Sequence, residues 1–342
     1  MVDALTIEIE RRAKELTDET IETLYFGGGT PSLLTEIQLR KLFESLHRNF
    51  NLDSLKETTI ETNPEDIHQE NLHLWKSLNI NRLSIGLQSL NDNELLKMNR
   101  NHTAIDSKRA VEKSIEAGFN LITIDLIYGT PWKSDEEWIK ELEWALNSGI
   151  NHLSAYALTV EPKTQLAHLI ERHQEIVPQD DKTIKQFELL QGKIAEANWD
   201  AYEISNYCKP GNEAMHNSNY WAGKKYIGIG PSAHSFDGNN RRWNVANNAN
   251  YIKNIELNLN YFESECLTVE NRINESIMIQ LRTQKGLKIA DILEKHPTWL
   301  TENLRSLSKF SEQNLVVFNA DHVRLTNSGK MVSDYIISEL MV

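Results

Sequence analysis

The chain is short of cysteine, of long apolar runs and of positive charge, and each shortage closes off a class of function. Only Cys208 and Cys266 occur among its 342 residues, far apart in sequence. Two separated thiols give neither a disulfide framework nor a CxxC metal site. No apolar run approaches the roughly 20 residues of a membrane span, and the N-terminus lacks the apolar core of a secretory signal. No integral membrane segment is expected, and a cytoplasmic location follows as the default. Lysine and arginine number 36 against 49 acidic residues, net -13, which provides no general attraction to phosphate backbones or anionic lipid. Low-complexity segments and sequence repeats are missing too, which removes a solenoid.

What is present is organised around Tyr25-Phe-Gly-Gly-Gly-Thr-Pro31. Ile21 to Phe26 is apolar, β-branched and aromatic and reads as a buried parallel strand. The glycines that end it have no Cβ, so backbone N–H groups there can approach a ligand closely. Before it, Val2, Leu5, Ile9, Ala13 and Leu16 recur at helical spacing. After it, Thr35 N-caps a helix to about His47, and Thr58 to Glu61 forms a strand that Asn63-Pro64 breaks. Glu65 and Asp66 are expected in the first turn of the next helix. Further strands read as Arg82 to Gly86, Leu121 to Ile127 and His152 to Leu158. Between them lie a helix capped by Thr103 and Asp106 and ending at Gly118, and another capped by Ser134 and Glu137 and ending near Gly149.

Strand and helix alternate about every 30 residues, which with the right-handed βαβ rule implies a parallel sheet wrapped by helices, as a barrel or a doubly wound sheet. The alternation stops near residue 165. A polar helix from about Asp181 to Ala197 then leads into a stretch dense in Tyr, Trp, Asn and Gly. From Asn274 onward helices precede a hairpin around Asn319-Ala320-Asp321, a winged-helix-like end. The layout is therefore a barrel core over 1–165, a mixed α+β region over 166–270 and a helical domain over 271–342.

In a parallel α/β barrel the chemistry sits at the C-terminal ends of the strands. Here those ends carry Gly27 to Thr30, Glu61, Gln88 and Asp125, with Arg100 in the following loop. Glu61 and Asp125 can accept hydrogen bonds from ribose hydroxyls or an ammonium group, Gln88 can donate or accept, and Arg100 can fork onto a carboxylate. Each of these residues taken singly also fits a cap, a surface ion pair or a satisfied loop residue.

Four segments carry a resemblance: Tyr25 to Pro31, Glu61-Thr-Asn-Pro64, Ser84-Ile-Gly-Leu-Gln-Ser89 and Asp125-Leu-Ile-Tyr-Gly-Thr-Pro131. In order and spacing they resemble the oxygen-independent coproporphyrinogen III oxidase-like family of radical S-adenosylmethionine (SAM) proteins. The resemblance extends to Tyr202-Glu-Ile-Ser-Asn206, to Tyr226 through His234 and to the C-terminal domain. It implies SAM bound by Gly28, Gly29, Thr30, Glu61, Gln88, Arg100 and Asp125. His216-Asn-Ser-Asn-Tyr-Trp221 is similar to the HNxxYW motif of the haem-chaperone (HemW) branch. That implies haem ligated by His216, with His234 as the alternative ligand, and an acceptor protein that receives the haem. An imidazole suits haem iron, Asn217 is a candidate hydrogen-bond partner for it, and Tyr220 and Trp221 offer flat surface to a porphyrin. A homodimer is left open.

The same family holds a [4Fe-4S] cluster on a CxxxCxxC loop, and no such loop occurs here. In the family this loop and the first barrel strand precede the helix with which this sequence begins. The expectations are a partial barrel without its first strand, a Met1 internal to a longer protein or a paralogue that has lost its cluster, and no reductive SAM cleavage by this chain. Three competing readings stand beside the haem chaperone. The first is the oxidase that decarboxylates coproporphyrinogen III. The second is a dinucleotide oxidoreductase suggested by Gly228-Ile-Gly-Pro-Ser-Ala233, whose Pro231 and missing acidic partner argue against it. The third is a winged-helix nucleic-acid module, which the near balance of charge over 271–342 does not favour.

Overall fold

The computed structural model describes residues 1–16 and 20–342. A six-stranded sheet runs in the order β1 (Thr23–Phe26), β2 (Glu57–Thr62), β3 (Arg82–Gln88), β4 (Leu121–Tyr128), β5 (His152–Ala157) and β6 (Asn206–Cys208). Strands β2 to β5 pair in parallel and β6 adds antiparallel to β5. Among the described residues β1 has β2 as its only neighbour in the sheet, the free edge expected of a barrel without its first strand. Being at an edge, β1 is half-exposed and not the buried strand its composition suggested, and it starts at Thr23.

Alternation along the strands separates a greasy face from a polar one. In β3 Leu83, Ile85 and Leu87 are fully buried, while Ser84, Gly86 and Gln88 on the other face are half-buried. Register then aligns the polar faces: Glu61 lies opposite Ser84, Ser84 opposite Thr123, and Asp125 opposite Ser154. The register slips between Ile85 and Gln88. Gln88 sits there at φ 67°, a left-handed backbone that a non-glycine residue adopts at some cost.

The helices between the strands start where local chemistry directs. Thr35 with Gln38, Thr103 with Asp106 and Ser134 with Glu137 each form a reciprocal capping box. Such pairs satisfy two of the backbone donors a helix start leaves open. Gly118 and Gly149 follow helix ends at φ 80° and 94°. One expectation fails: Glu65 and Asp66 lie in a 3-10 turn, Pro64–Asp66, and the helix begins at Gln69 behind His68. Proline at the first position of the turn fixes its φ, and the chain extends again at Ile67 before the helix can start.

The chain folds as two compact units, neither continuous in sequence. One contains Tyr25–Leu33 and Thr58–Ala214, and thus most of the six-stranded sheet. The other contains Met1–Leu24, Leu34–Glu57 and Met215–Val342. In the latter, the Val2–Arg12 helix packs through Ala4, Leu5 and Ile7 on Tyr251, Ile255 and Tyr261. A three-stranded antiparallel sheet of β7 (His234–Phe236), β8 (Asn240–Asn244) and β9 (Phe262–Cys266) lies in the same unit. At the C-terminus, β10 (Leu287–Lys288), β11 (Val316–Phe318) and β12 (His322–Leu325) form a small sheet. It packs beside the Val269–Leu281 and Trp299–Glu312 helices around a core that includes Trp299, Leu307 and Phe310. The hairpin read from the sequence is present, with Val316 opposite Leu325. No helix among the described residues is long and apolar enough to cross a membrane.

Candidate functional site

The glycine turn after β1 and the polar ends of β2 to β4 come together in the unit built on the large sheet. Glu61 is the organising carboxylate. Its Oε2 accepts the Gly28 N–H at 3.0 Å and its Oε1 accepts the Tyr25 hydroxyl at 2.8 Å. A Cβ on Gly27 would press on the Tyr25 ring and lie 2.6 Å from Glu61 Oε1, so a larger residue there would push the Tyr25 and Glu61 side chains aside. Burial, reinforced by Glu61, pushes the Tyr25 hydroxyl above its ordinary pKa and keeps it a donor. Gly28 and Gly29, by contrast, face open space, and Thr30 is exposed. The turn thus leaves room beside its backbone at Gly28 and Gly29, above the acceptors fixed by Glu61.

Asp125 is the second carboxylate. Burial is the main cause that lifts it from the ordinary 3.8 to about 7; a hydrogen bond with Ser154 opposes the rise, Glu61 adds to it and Arg100 opposes it. Arg100 also donates to Asn63 Oδ1 at 3.1 Å, which brings the loop after β3 to the Glu61-Thr-Asn-Pro64 segment. The Gln88 side chain turns back over Gly86, where a Cβ would meet Nε2 at 2.9 Å. All seven residues expected at the SAM site lie in one unit: Gly28, Gly29 and Thr30 just beyond β1, Glu61 and Gln88 at the ends of β2 and β3, Asp125 within β4, and Arg100 farther along the connection after β3. Carboxylates, an amide and open backbone N–H groups suit the amine and ribose hydroxyls of such a ligand.

Sequence reasoning missed what braces this rim. Lys133, fully buried, pairs with Glu94 at 3.0 Å and with Glu141, and donates to Ile127 O at 3.0 Å. Ser89, directly after Gln88, hydrogen-bonds to Glu94 at 2.6 Å and to Glu141 at 2.8 Å, while Thr130 bonds to Glu94. The loops after β3 and β4 are therefore tied through three buried charges. Lys133 follows a Gly-Thr-Pro turn and precedes a capping serine; nothing local marks it as interior.

His216 lies in the other unit, in the short helix Met215–Trp221. The Met215 and His216 N–H groups both donate to the Glu57 carboxylate, at 3.0 and 2.8 Å. Its Nδ1 is 2.8 Å from Thr23 Oγ1 and its Nε2 is 3.3 Å from the Tyr220 hydroxyl. Burial, partly opposed by Glu57, lowers its pKa, so the ring is neutral near pH 7. Thr23, at the start of β1, is a ring partner that the sequence did not indicate. Tyr220 stands edge-on to His216 with ring centroids 5.0 Å apart. The Trp221 indole N–H is buried without a hydrogen-bond partner among the described residues. His234 is exposed on β7 and stacks against Trp243.

The cysteines do not fit an iron–sulfur cluster. Cys208 is buried in β6, where desolvation pushes its thiol up to about 12, and Cys266 lies exposed on β9. A [4Fe-4S] cluster takes thiolates, and no group of three or more candidate ligands occurs among the described residues.

The open, mostly parallel six-stranded α/β sheet, with its glycine turn beyond β1, is the architecture of a partial parallel (β/α) barrel. The Radical SAM superfamily model matches residues 4–145, and the HemN C-terminal domain model matches residues 267–332. A protein named Heme chaperone HemW from Mycobacterium tuberculosis is 32% identical over 339 residues, covering 99% of this chain and 85% of that one. One of the same name from Bacillus subtilis is 31% identical, covering 99% and 90%. The solved structure of coproporphyrinogen III oxidase (HemN) from Escherichia coli superposes with a TM-score of 0.86 at 21% identity, covering 99% of this chain and 82% of that one. The chain belongs to the HemW/HemN-like radical SAM family.

Proposed function

We propose that this protein binds haem through His216 and hands it to an acceptor protein in the cytoplasm. The observation that carries the reading is the state of His216: a neutral imidazole with Nδ1 2.8 Å from Thr23 Oγ1 and Nε2 3.3 Å from the hydroxyl of the half-exposed Tyr220. Imidazoles that ligate iron are commonly oriented in this way through the other ring nitrogen. The Tyr220 and Trp221 rings supply apolar surface for the porphyrin. The names of the relatives, which extend over nearly the whole chain, support the same reading.

The test is a haem titration followed by absorbance. His216→Ala is expected to move the Soret band and to weaken binding by about tenfold or more, with His234→Ala unchanged. An unmoved band and unchanged affinity in His216→Ala would remove the ligand role.

The second part of the proposal concerns SAM. Gly28, Gly29, Thr30, Glu61, Gln88, Arg100 and Asp125 would hold its amine and ribose through the acceptors and backbone donors described above. The cluster that would anchor the methionine end has too few thiols in this chain. The expected result is SAM binding by calorimetry without 5′-deoxyadenosine, even with added iron, sulfide and reductant. Formation of 5′-deoxyadenosine under those conditions would refute it.

A further inference from the structure

The Tyr202 to Asn206 segment leads into β6, which pairs with β5 so that Asn206 lies opposite Ser154, and Ser154 lies in turn opposite Asp125. Three adjacent strands thus set Asn206, Ser154 and Asp125 in one row, within the unit that carries the SAM-site residues. Hydrogen bonds run along it. Asn206 Nδ2 donates to Oε1 of the buried Glu203, Ser154 Oγ donates to Asn206 Oδ1 at 2.7 Å, and Ser154 also hydrogen-bonds with the Asp125 carboxyl. The far end fixes the direction. Glu203 accepts from the backbone N–H groups of Ile204, Ser205 and Asn206 as well as from Asn206 Nδ2, and an ionised carboxyl group has no proton to return. The Asn206 amide is therefore turned with its oxygen toward Ser154.

Ser154 has one proton and two claimants. While it donates to Asn206, its oxygen can only accept, so its bond with Asp125 needs a protonated carboxyl. When Asp125 is ionised the hydroxyl must turn to it, and Asn206 Oδ1 then loses a buried donor, which is costly. The row adds to the burial that already lifts Asp125 to about 7. The other groups facing Asp125 are Tyr25 from β1, Glu61 from β2, Tyr156 from β5 and Arg100 from the connection after β3. Glu61 disfavours a second negative charge, both tyrosines are pushed upward and stay uncharged, and Arg100 draws toward the ionised form. Ligand hydroxyl and amine donors need that ionised form.

We propose that Glu203, acting through Asn206 and Ser154, is a positioning residue for the SAM site: it holds Asp125 as a neutral donor in the free protein, so that SAM binding expels a proton. The Asp125 proton goes to solvent, Ser154 keeps its own and turns it to the new carboxylate, and no other bond changes. The inference rests on the SAM-binding reading and deepens it by giving the site a proton linkage. Because binding selects the ionised form, affinity rises about tenfold per pH unit below the folded value of about 7 and levels off above it.

Calorimetry at pH 6.5 in two buffers of different ionisation enthalpy counts the protons, and titrations from pH 5.5 to 8 give the midpoint. The parent is expected to release more than about half a proton per SAM bound, and Asp125→Asn none. Glu203→Gln keeps the shape but can donate as well as accept, which frees Asn206 to present Nδ2 to Ser154 and Ser154 to serve the carboxylate. Its midpoint should fall by about one pH unit and SAM should bind about fivefold tighter at pH 6, with affinity at pH 8 unchanged. Added to Ser154→Ala, the same change should move nothing further, because the route is cut. A Glu203 that served only the fold would instead weaken binding alike at every pH. SAM binding by the parent without proton release would overturn the linkage, a count that needs no variant and so decides even if a buried substitution costs folding. Proton release with the parent's midpoint in Glu203→Gln would overturn the role of Glu203. Absence of SAM binding by the parent would overturn both this and the reading beneath it.

Discussion

Asp125→Asn is expected to unfold at a higher denaturant concentration than the parent at pH 8, and at the same concentration near pH 4. The folded protein holds this carboxyl at about 7 against an ordinary 3.8, chiefly by burial. Because the folded value is raised, the stability linked to this group is fully present below the ordinary value and is lost as pH rises through the folded one. Each pH decade in that window costs about 1.4 kcal/mol. The side chain keeps some exposure to solvent, so the expected gain for asparagine at pH 8 is about 2–4 kcal/mol. Urea midpoints for both proteins at pH 4, 6 and 8 measure it. A gap between the two proteins that does not vary with pH would contradict this origin.

Lys133→Met should be among the most damaging single changes, lowering stability by about 3–5 kcal/mol. It would strand Glu94 and Glu141, two carboxylates buried against each other's neighbours, without the cation that now pairs with both. Burial already raises the Glu141 pKa, with Lys133 opposing. Without the lysine the rise at Glu141 is larger, so that carboxyl group recovers by protonation. The loss should therefore shrink as pH falls from 8 to 5, and combining Lys133→Met with Glu94→Gln and Glu141→Gln should restore much of it. Because Ser89 is held by the same carboxylates directly after Gln88, SAM affinity should fall with Lys133→Met as well. Wild-type stability in Lys133→Met at pH 8 would show that the three charges do not act as a unit.

Local chemistry explains which parts of this architecture were legible. Capping boxes at Thr35, Thr103 and Ser134 depend on residues three apart, and all three formed. The strands were legible for a similar reason: a period of two puts Glu61, Gln88 and Asp125 on the face opposite the buried Ile60, Leu87 and Ile124. The short helices Asp92–Lys97 and Gln165–Glu171 were missed. Each is too short for an apolar period to emerge, and the second buries no residue. Thr23 beside His216 could not be foreseen, since 193 positions separate them.

By itself, then, the sequence determined the alternation of strand and helix, the polar residues at the strand ends, the winged hairpin at the C-terminus and the lack of cluster thiols, because each depends on neighbours or on composition. Tertiary structure decided the rest. It settled which distant groups share a dielectric, and hence that Asp125 titrates near neutrality, that Lys133 is interior and that Thr23 orients His216. Burial and pairing across hundreds of residues create those properties, and no local pattern encodes the distances on which they depend.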